Sequence, residues 1–271
     1  MKRLIFALLH DRGRFMLSRN FRLQAVGGID WLFENYDFAT VSHGLDELMV
    51  VDVTRGERDA AAFAQVVGQI AKRCFIPLTA GGGIRAVEDA GRLLRQGADK
   101  VLVNTLFADD PAACAAIADY FGRQCLVAGI DYREDDAGIR RVLVDRGERE
   151  TDASLADWLA HAVAHGAGEV LLQSLARDGT GMGLDTATTA ALGARPEVPI
   201  ILLGGVGRGE HIAEGLRLAD VEAVATANLF NFIGESFLNV RRDLIAEGLE
   251  VAEWHATDYS SLAGIFAREG M

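Results

Sequence analysis

Two groups of glycines, at positions 81–83 and at positions 204, 205 and 207, follow apolar runs and precede helical patterns. Because glycine has no side chain, its backbone N–H groups can approach an anion closely, and the start of the following helix favours negative charge. The two groups therefore predict two phosphate sites, although the same glycines could simply form tight turns. The residues expected at the first site are Gly83, Asn104 and Thr105, and those expected at the second are Asp178, Gly179, Gly205 and Asn228.

Three aspartates lie at or just beyond the ends of apolar runs, namely Asp52, Asp131 and Asp178. A carboxylate that is shielded from water has a raised pKa and can act as a general acid or base near neutral pH. These aspartates are therefore candidates for catalysis or substrate binding, and Asp131 is the strongest of them. The alternative is that they hold loops by accepting backbone hydrogen bonds.

Four charged residues begin apolar runs, and their signs alternate along the chain. They are Arg3, Glu47, Lys100 and Glu169. If the runs are strands of one barrel, these side chains meet inside its lower end, where buried charges must be paired. The pattern predicts a ring of salt bridges, which could serve stability alone or could gate a passage along the barrel axis.

The elements that position these residues are eight short apolar runs separated by amphipathic stretches. Runs that are apolar throughout indicate burial on both faces, as in a parallel sheet covered by helices. Eight such units in 271 residues favour one α/β domain, a (β/α)8 TIM barrel with its catalytic face at the carboxyl ends of the strands. The predicted strands are 3–9, 47–53, 76–80, 100–105, 125–131, 169–174, 199–205 and 222–227.

The two halves of the chain resemble each other. The segments GGGIRAVEDAGRLLRQGADKVLVNTLF and GGVGRGEHIAEGLRLADVEAVATANLF share the order of glycines, helix, strand and small polar turn. This repeat predicts two half-barrels, about 1–123 and 124–253, within a single domain 1–271. Residues 132–150 are predicted to form an inserted polar hairpin, and residues 255–271 a tail of unassigned structure.

The composition argues against several classes of partner and cofactor. A net charge of −12 disfavours nucleic acid and anionic membranes as partners, and no apolar stretch is long enough to span a membrane. The three cysteines are scattered and form no CxxC pair, so they are expected to be reduced thiols in a cytoplasmic protein. Without a ligand cluster or a dinucleotide fingerprint, no metal or organic cofactor is expected.

Several segments closely resemble the cyclase subunit of imidazole glycerol phosphate synthase. They are GGGIRAVEDA, GADKVLVNT, FGRQCLVAGID, GAGEVLLQSLARDGTGMGLD and LLGGVGRGEH, and the similarity extends from Lys2 to about Glu253. In that family a glutaminase docks at the lower end of the barrel, and its ammonia crosses the barrel to a bis-phosphorylated substrate at the top. The resemblance implies a heterodimer with a glutaminase and a phosphorylated small-molecule substrate.

The resemblance also implies roles for individual residues. The four charges at the strand starts match the ammonia gate of the family, and Asp99 matches a position that contacts the glutaminase. Asp131 matches one of two catalytic aspartates, the one that resembles a general base. Both sets of expected phosphate-binding residues match the phosphate sites of the family.

The first strand departs from the family pattern, which has a catalytic aspartate in the strand and a lysine on the following loop. When the chain is aligned on Gly13 and Arg14, Leu9 occupies the aspartate position and Leu17 the lysine position. Asp11 lies two residues further along and is the remaining candidate for the second catalytic residue. Loss of a proton-transfer group costs roughly 10²–10⁴-fold in rate, so ordinary cyclisation is expected to be weak.

Two main functions stay open at this stage. A divergent branch of the family has a similar first strand, and it is implied to pass ammonia to a sugar amidotransferase that makes acetamidino sugars for surface polysaccharides. The alternative is an active cyclase of histidine biosynthesis, which makes imidazole glycerol phosphate and AICAR, with Asp11 or His10 replacing the missing acid. A scaffold that only activates its glutaminase and a related half-barrel isomerase are less favoured.

Overall fold

Eight parallel strands close into a barrel in the computed structural model, which describes residues 1–36, 38–41, 43–193, 197–228 and 236–253. The predicted tail 255–271 lies outside these residues. The barrel strands are β1 (Arg3–Asp11), β4 (Glu47–Asp52), β5 (Leu78–Gly81), β6 (Lys100–Val103), β7 (Leu126–Glu134), β10 (Glu169–Ser174), β11 (Ile200–Leu203) and β12 (Val221–Thr226). Each pairs with the next in this order, and β12 pairs with β1, so the ring is complete. The predicted TIM barrel is confirmed, and its strands differ from the predicted ranges by only a few residues.

Helices follow most barrel strands and cover the outside of the barrel. They are α1 (Ile29–Asn35), α2 (Phe38–Val41), α3 (Ala60–Ala71), α4 (Val87–Arg95), α5 (Leu106–Asp109), α6 (Pro111–Phe121), α7 (Leu155–Ala164), α8 (Gly209–Leu216) and α9 (Ser236–Ala246), with 3-10 turns at Arg123–Cys125 and Thr186–Leu192. Side chains fix several helix starts, since Asp59, Asp110 and Ser154 accept hydrogen bonds from the first backbone N–H groups of α3, α6 and α7. The polar residues between strand and helix thus define where each helix begins.

The strands divide the core into two layers because successive side chains point to opposite faces. In β1, Leu4, Phe6 and Leu8 face outward and pack under the helices. Ile5 and Ala7 face inward and join a smaller apolar cluster inside the barrel. The continuous apolar runs in the sequence therefore reflect burial on both faces.

Two β-hairpins stand on the upper end of the barrel, one after β1 and one after β7. The first consists of β2 (Arg14–Arg19) and β3 (Arg22–Gly27), and the second of β8 (Arg140–Val144) and β9 (Arg149–Ser154). The second hairpin was predicted from the polar segment 132–150, whereas the first was not. Their tips lie side by side, because a Cβ on Gly147 would be 3.3 Å from the ring of Phe21.

Hairpins after the first and fifth barrel strands occupy equivalent places in the two halves of the chain. This arrangement agrees with a half-barrel repeat, and the boundary near residue 123 stays a prediction.

Candidate active site and charge ring

Four charged side chains form a closed ring of salt bridges at the lower end of the barrel. Lys100 Nζ lies 2.8 Å from carboxylate oxygens of both Glu47 and Glu169. Arg3 also contacts both carboxylates, with 3.0 Å between its Nη1 and Glu47 Oε2 and a second contact to Glu169. The structure therefore brings together all four of the charged residues that begin apolar runs in the sequence.

The two carboxylates of the ring are buried, and its two basic side chains are partly exposed. Glu47 is 1% and Glu169 5% exposed, and removing either basic partner would leave a buried charge uncompensated. Burial alone would raise the pKa of Glu169, but the hydrogen bond from Arg3 and the charges of Arg3 and Lys100 outweigh it, and the pKa lies below its ordinary value. The lower mouth of the barrel is thus closed by four charged side chains that pair with one another.

Asp99 lies beside Lys100 at the same end of the barrel and is exposed. Its Oδ2 accepts a hydrogen bond of 2.8 Å from the backbone N–H of Leu78. This bond ties the loop before β6 to the start of β5, so Asp99 has a structural contact as well as an exposed position on the lower face.

A cavity of about 210 Å³ opens at the upper end of the barrel, under the two hairpins. The side chains that line it come from most of the barrel strands and from both hairpin tips. Five of the residues singled out in the sequence are among them: Asp52, Gly83, Asn104, Thr105 and Asp131. The first expected phosphate site and the candidate general base therefore share one cavity.

Asp131 lies in β7 and lines this cavity. Burial raises its pKa to about 7, and the nearby charge of Asp178 adds to the rise. The hydrogen bond of 3.1 Å that Asn104 Nδ2 donates to Asp131 Oδ2 opposes the rise in part. A carboxyl group with this pKa is present in both protonation states near neutral pH, and it can accept or donate a proton there.

Asp52 ends β4 and holds the loop that follows. Its Oδ1 accepts a hydrogen bond of 2.9 Å from the backbone N–H of Thr54, and its Oδ2 lies 3.6 Å from Arg58 Nε. Asp52 therefore combines a loop contact, which the sequence left open as the alternative, with a place in the cavity wall.

Asp178 binds the first hairpin and does not line the cavity. Its Oδ2 accepts hydrogen bonds from Ser18 Oγ at 2.6 Å and from the backbone N–H of Phe21 at 2.9 Å. Burial raises its pKa, and these two hydrogen bonds oppose the rise. A Cβ on Gly179 would lie 2.0 Å from the backbone oxygen of Ser18, so the hairpin packs directly on this segment.

The other residues of the second expected phosphate site are also in contact with the chain itself. A Cβ on Gly205 would lie 2.1 Å from the backbone oxygen of Gly183. The backbone N–H of Asn228 donates to Thr226 Oγ1 at 3.3 Å. The structure therefore does not bring this second group of residues to the cavity.

The first strand places Leu9 in the cavity wall and the neighbouring polar residues elsewhere. His10 points outward, packs against the rings of Phe15 and Phe63, and accepts a hydrogen bond from the backbone N–H of Gly13. Burial lowers its pKa, and the charges of Asp52 and Asp11 oppose this. Asp11 is not among the residues that line the cavity, so β1 contributes apolar side chains, Ala7 and Leu9, to its wall.

A family model described as "Histidine biosynthesis protein" matches residues 35–235. This chain belongs to the histidine biosynthesis protein family. It is also 40% identical over 255 residues to a protein named "Putative imidazole glycerol phosphate synthase subunit hisF2" from Parasynechococcus marenigrum (strain WH8102). That similarity covers 93% of this chain and 94% of the relative.

Four arginines in the cavity wall of this histidine biosynthesis family member were not predicted from the sequence. They are Arg55, Arg58, Arg85 and Arg146. A signal for them was present, because each follows a predicted barrel strand on the side of the catalytic face. Arginines in an acidic chain are usually solvent-exposed, and their convergence depends on how the loops and the second hairpin fold.

No helix among the described residues is long and apolar enough to cross a membrane. The same residues contain no group of three or more histidine, cysteine, aspartate or glutamate side chains with a geometry suited to a metal ion.

Proposed function

We propose that this protein is a barrel of the imidazole glycerol phosphate synthase cyclase type that receives ammonia from a glutaminase and delivers it to a phosphorylated acceptor. We place it in the branch that serves acetamidino-sugar formation in surface-polysaccharide pathways. The proposal rests on one observation. The charge ring, the apolar barrel interior and the cavity that Asp131 lines follow one another from the lower to the upper end of the barrel.

The interior between the ring and the cavity suits a small neutral molecule. Most inward-facing residues of this region are apolar, including Ile5, Val127, Ile201 and Ala223, and the hydroxyl of Thr79 donates a hydrogen bond to Glu47 of the ring. Ammonium would lose its hydration in such surroundings, whereas neutral ammonia loses much less, so the apolar interior favours ammonia. The ring would exclude other ions from below and would open when the side chain of Lys100 moves away from its two carboxylates.

Asp131 is suited to the chemistry at the top of the barrel. As ammonia attacks an electrophilic carbon of the acceptor, its nitrogen becomes positively charged and must lose a proton. The carboxylate of Asp131 would accept that proton, and the resulting acid could then protonate the oxygen that leaves. A pKa of about 7 makes both steps accessible to the same group.

The apolar first strand favours the sugar-modifying branch over ordinary cyclisation. Cyclisation in the family uses two aspartates, and here Leu9 occupies the position of one of them in the cavity wall. Neither Asp11 nor His10 lines the cavity, so neither is placed to replace the missing acid. An active cyclase of histidine biosynthesis is the second candidate, and the match to a histidine biosynthesis family model favours it.

A cyclase assay separates the two candidates. The purified chain is supplied with an ammonium salt and the bis-phosphorylated aminoimidazole-carboxamide ribulosyl nucleotide, and imidazole glycerol phosphate is measured. Because one proton-transfer group is absent, we expect turnover roughly 10²–10⁴-fold below that of an ordinary cyclase subunit run in parallel. Turnover equal to that of the ordinary subunit, and lost in Asp131→Asn, would instead establish the histidine-pathway cyclase.

A further inference from the structure

Three guanidinium groups line the wall of the upper cavity on the side of the first expected phosphate site. Arg58 comes from the loop after β4, Arg85 from the loop after β5, and Arg146 from the tip of the second hairpin. Arg58 lies directly over Gly83, since a Cβ on that glycine would be 2.9 Å from Arg58 Cδ. Three loops that are distant in sequence thus converge on one place.

These guanidinium groups are incompletely paired. The carboxylate nearest to Arg58 is that of Asp52 at 3.6 Å, which is too long for a hydrogen bond. The Nε atoms of Arg58 and Arg146 are buried, and neither has a hydrogen-bond partner within the described part of the chain. Within the same part, Arg85 has no salt bridge, and its backbone N–H donates to Asp89.

Arg146 has partners of its own, but they are exposed. Its guanidinium lies 2.9 Å from Asp145 and 3.9 Å from Glu148, whose side chains are 46% and 57% exposed. Pairs of this kind are screened by water and weakly held. Arg146 is therefore free to contribute donors to a ligand in the cavity.

The turn at the tip of the second hairpin and a contact to Thr105 fix the position of Arg146. Its φ is +62°, in the left-handed region where arginine is uncommon and glycine is favoured. The neighbouring Asp145 has φ +49°, and its backbone N–H donates a hydrogen bond of 3.0 Å to Thr105 Oγ1. Asn20 and Phe21 at the tip of the first hairpin also have positive φ, because a two-residue hairpin turn requires it.

Mutual repulsion between the three groups gives a reason for an anion to bind there. Burial lowers the pKa of Arg58, the charge of Asp52 opposes this, and the charges of Arg146 and Arg85 lower it further. An oxyanion between them would replace repulsion with charge-assisted hydrogen bonds. The planar guanidinium fork matches the oxygens of phosphate and carboxylate groups in particular.

We propose that Arg58, Arg85 and Arg146 form a binding site for a phosphoryl group of the acceptor, beside the backbone of Gly83. This inference rests on the proposed function only in naming the acceptor as the molecule that carries the phosphoryl group. The site itself is defined by the three arginines. This site would anchor one end of the acceptor so that its reacting carbon lies over the barrel axis.

Titration with inorganic phosphate, followed by the ³¹P NMR linewidth, tests the site without ammonia, glutaminase or acceptor. Arg85→Met and Arg146→Gly are the two informative variants. Because a hydrogen bond to a charged group contributes about 1.5–3 kcal/mol, each variant is expected to weaken phosphate binding about tenfold or more. Arg146→Gly also removes the backbone strain, so it should melt at the same temperature as the wild type or higher, which a merely structural role for Arg146 would not produce.

Arg141→Met is the matched control, since Arg141 lies in the same hairpin, pairs with Asp135, and is absent from the cavity wall. It is expected to bind phosphate as the wild type does. Unchanged phosphate binding in both Arg85→Met and Arg146→Gly overturns the proposal, and so does tighter binding of acetate than of phosphate. Arginine-dependent phosphate binding in a protein that transfers no ammonia would uphold this site and refute the proposed function.

Discussion

Asp131 and Leu9 lie in the wall of the same cavity, where they contribute one acidic and one apolar side chain. The sequence predicted Asp131 because an aspartate at the end of a buried strand of a barrel faces the catalytic end. The assignment of Leu9 to the position of a family aspartate stays a prediction, because it depends on aligning the chain at Gly13 and Arg14. The sequence assigned Asp178 to the second phosphate site and missed its hydrogen bonds to Ser18 and Phe21, which require the unpredicted hairpin.

Asp131→Asn is expected to remove acid–base catalysis and to change how stability depends on pH. Amidation of the acceptor should fall roughly 10²–10⁴-fold, and the wild-type rate should change with an inflection near pH 7. The folded pKa of Asp131 lies above its ordinary value of 3.8, so its contribution to stability is present below that value and is lost as the pH rises toward 7.

Urea unfolding of both proteins between pH 4 and pH 8 checks this prediction. The stability of the wild type relative to Asp131→Asn should decline from about pH 4 to pH 7 and then level off. A difference that grows with pH over that range would mean that the fold stabilises the carboxylate, contrary to a raised pKa of Asp131.

At the scale of elements, the two hairpins convert an open barrel end into a covered cavity. The second hairpin was predictable because a polar segment interrupts the strand–helix order at 132–150. The first was not, because the segment 14–27 mixes charged and apolar residues without strict alternation and its pairing is irregular between Phe15 and Met16. Register shifts of this kind obscure the two-residue period on which strand prediction depends.

Asp178→Ala is expected to loosen the first hairpin without unfolding the barrel. The change leaves the hydroxyl of Ser18 and the backbone N–H of Phe21 without their acceptor, at a cost of about 1–3 kcal/mol. Amide hydrogen exchange in residues 18–23 should therefore become faster, while exchange in the barrel strands stays unchanged. The control is Asp136→Ala, an exposed position in the turn between β7 and β8. Equal exchange in the two variants would show that Asp178 does not hold the hairpin.

At the scale of the whole molecule, the barrel and its charge ring were the most predictable features. Both follow from one periodic pattern, in which each buried apolar run is a strand and its first residue marks the lower rim. The arginines of the cavity wall were missed for the opposite reason, although each follows a predicted barrel strand. Their positions depend on loops and on a strained turn, and the sequence carries no period for either of them.

Passage of ammonia through the ring is tested most directly by tracing the source of the nitrogen in the product. The complex of this chain with its glutaminase is added to an extract of its own organism that lacks the chain, with amide-¹⁵N glutamine and excess unlabelled ammonium. Mass spectrometry of the amidated product is expected to give mostly ¹⁵N with the wild type. Lys100→Met, checked for folding by its melting temperature, should shift the product toward the unlabelled pool, because Glu47 and Glu169 lose a shared partner and the ring is disturbed. A wild-type product that carries mainly unlabelled nitrogen while glutamine is being hydrolysed would contradict the account.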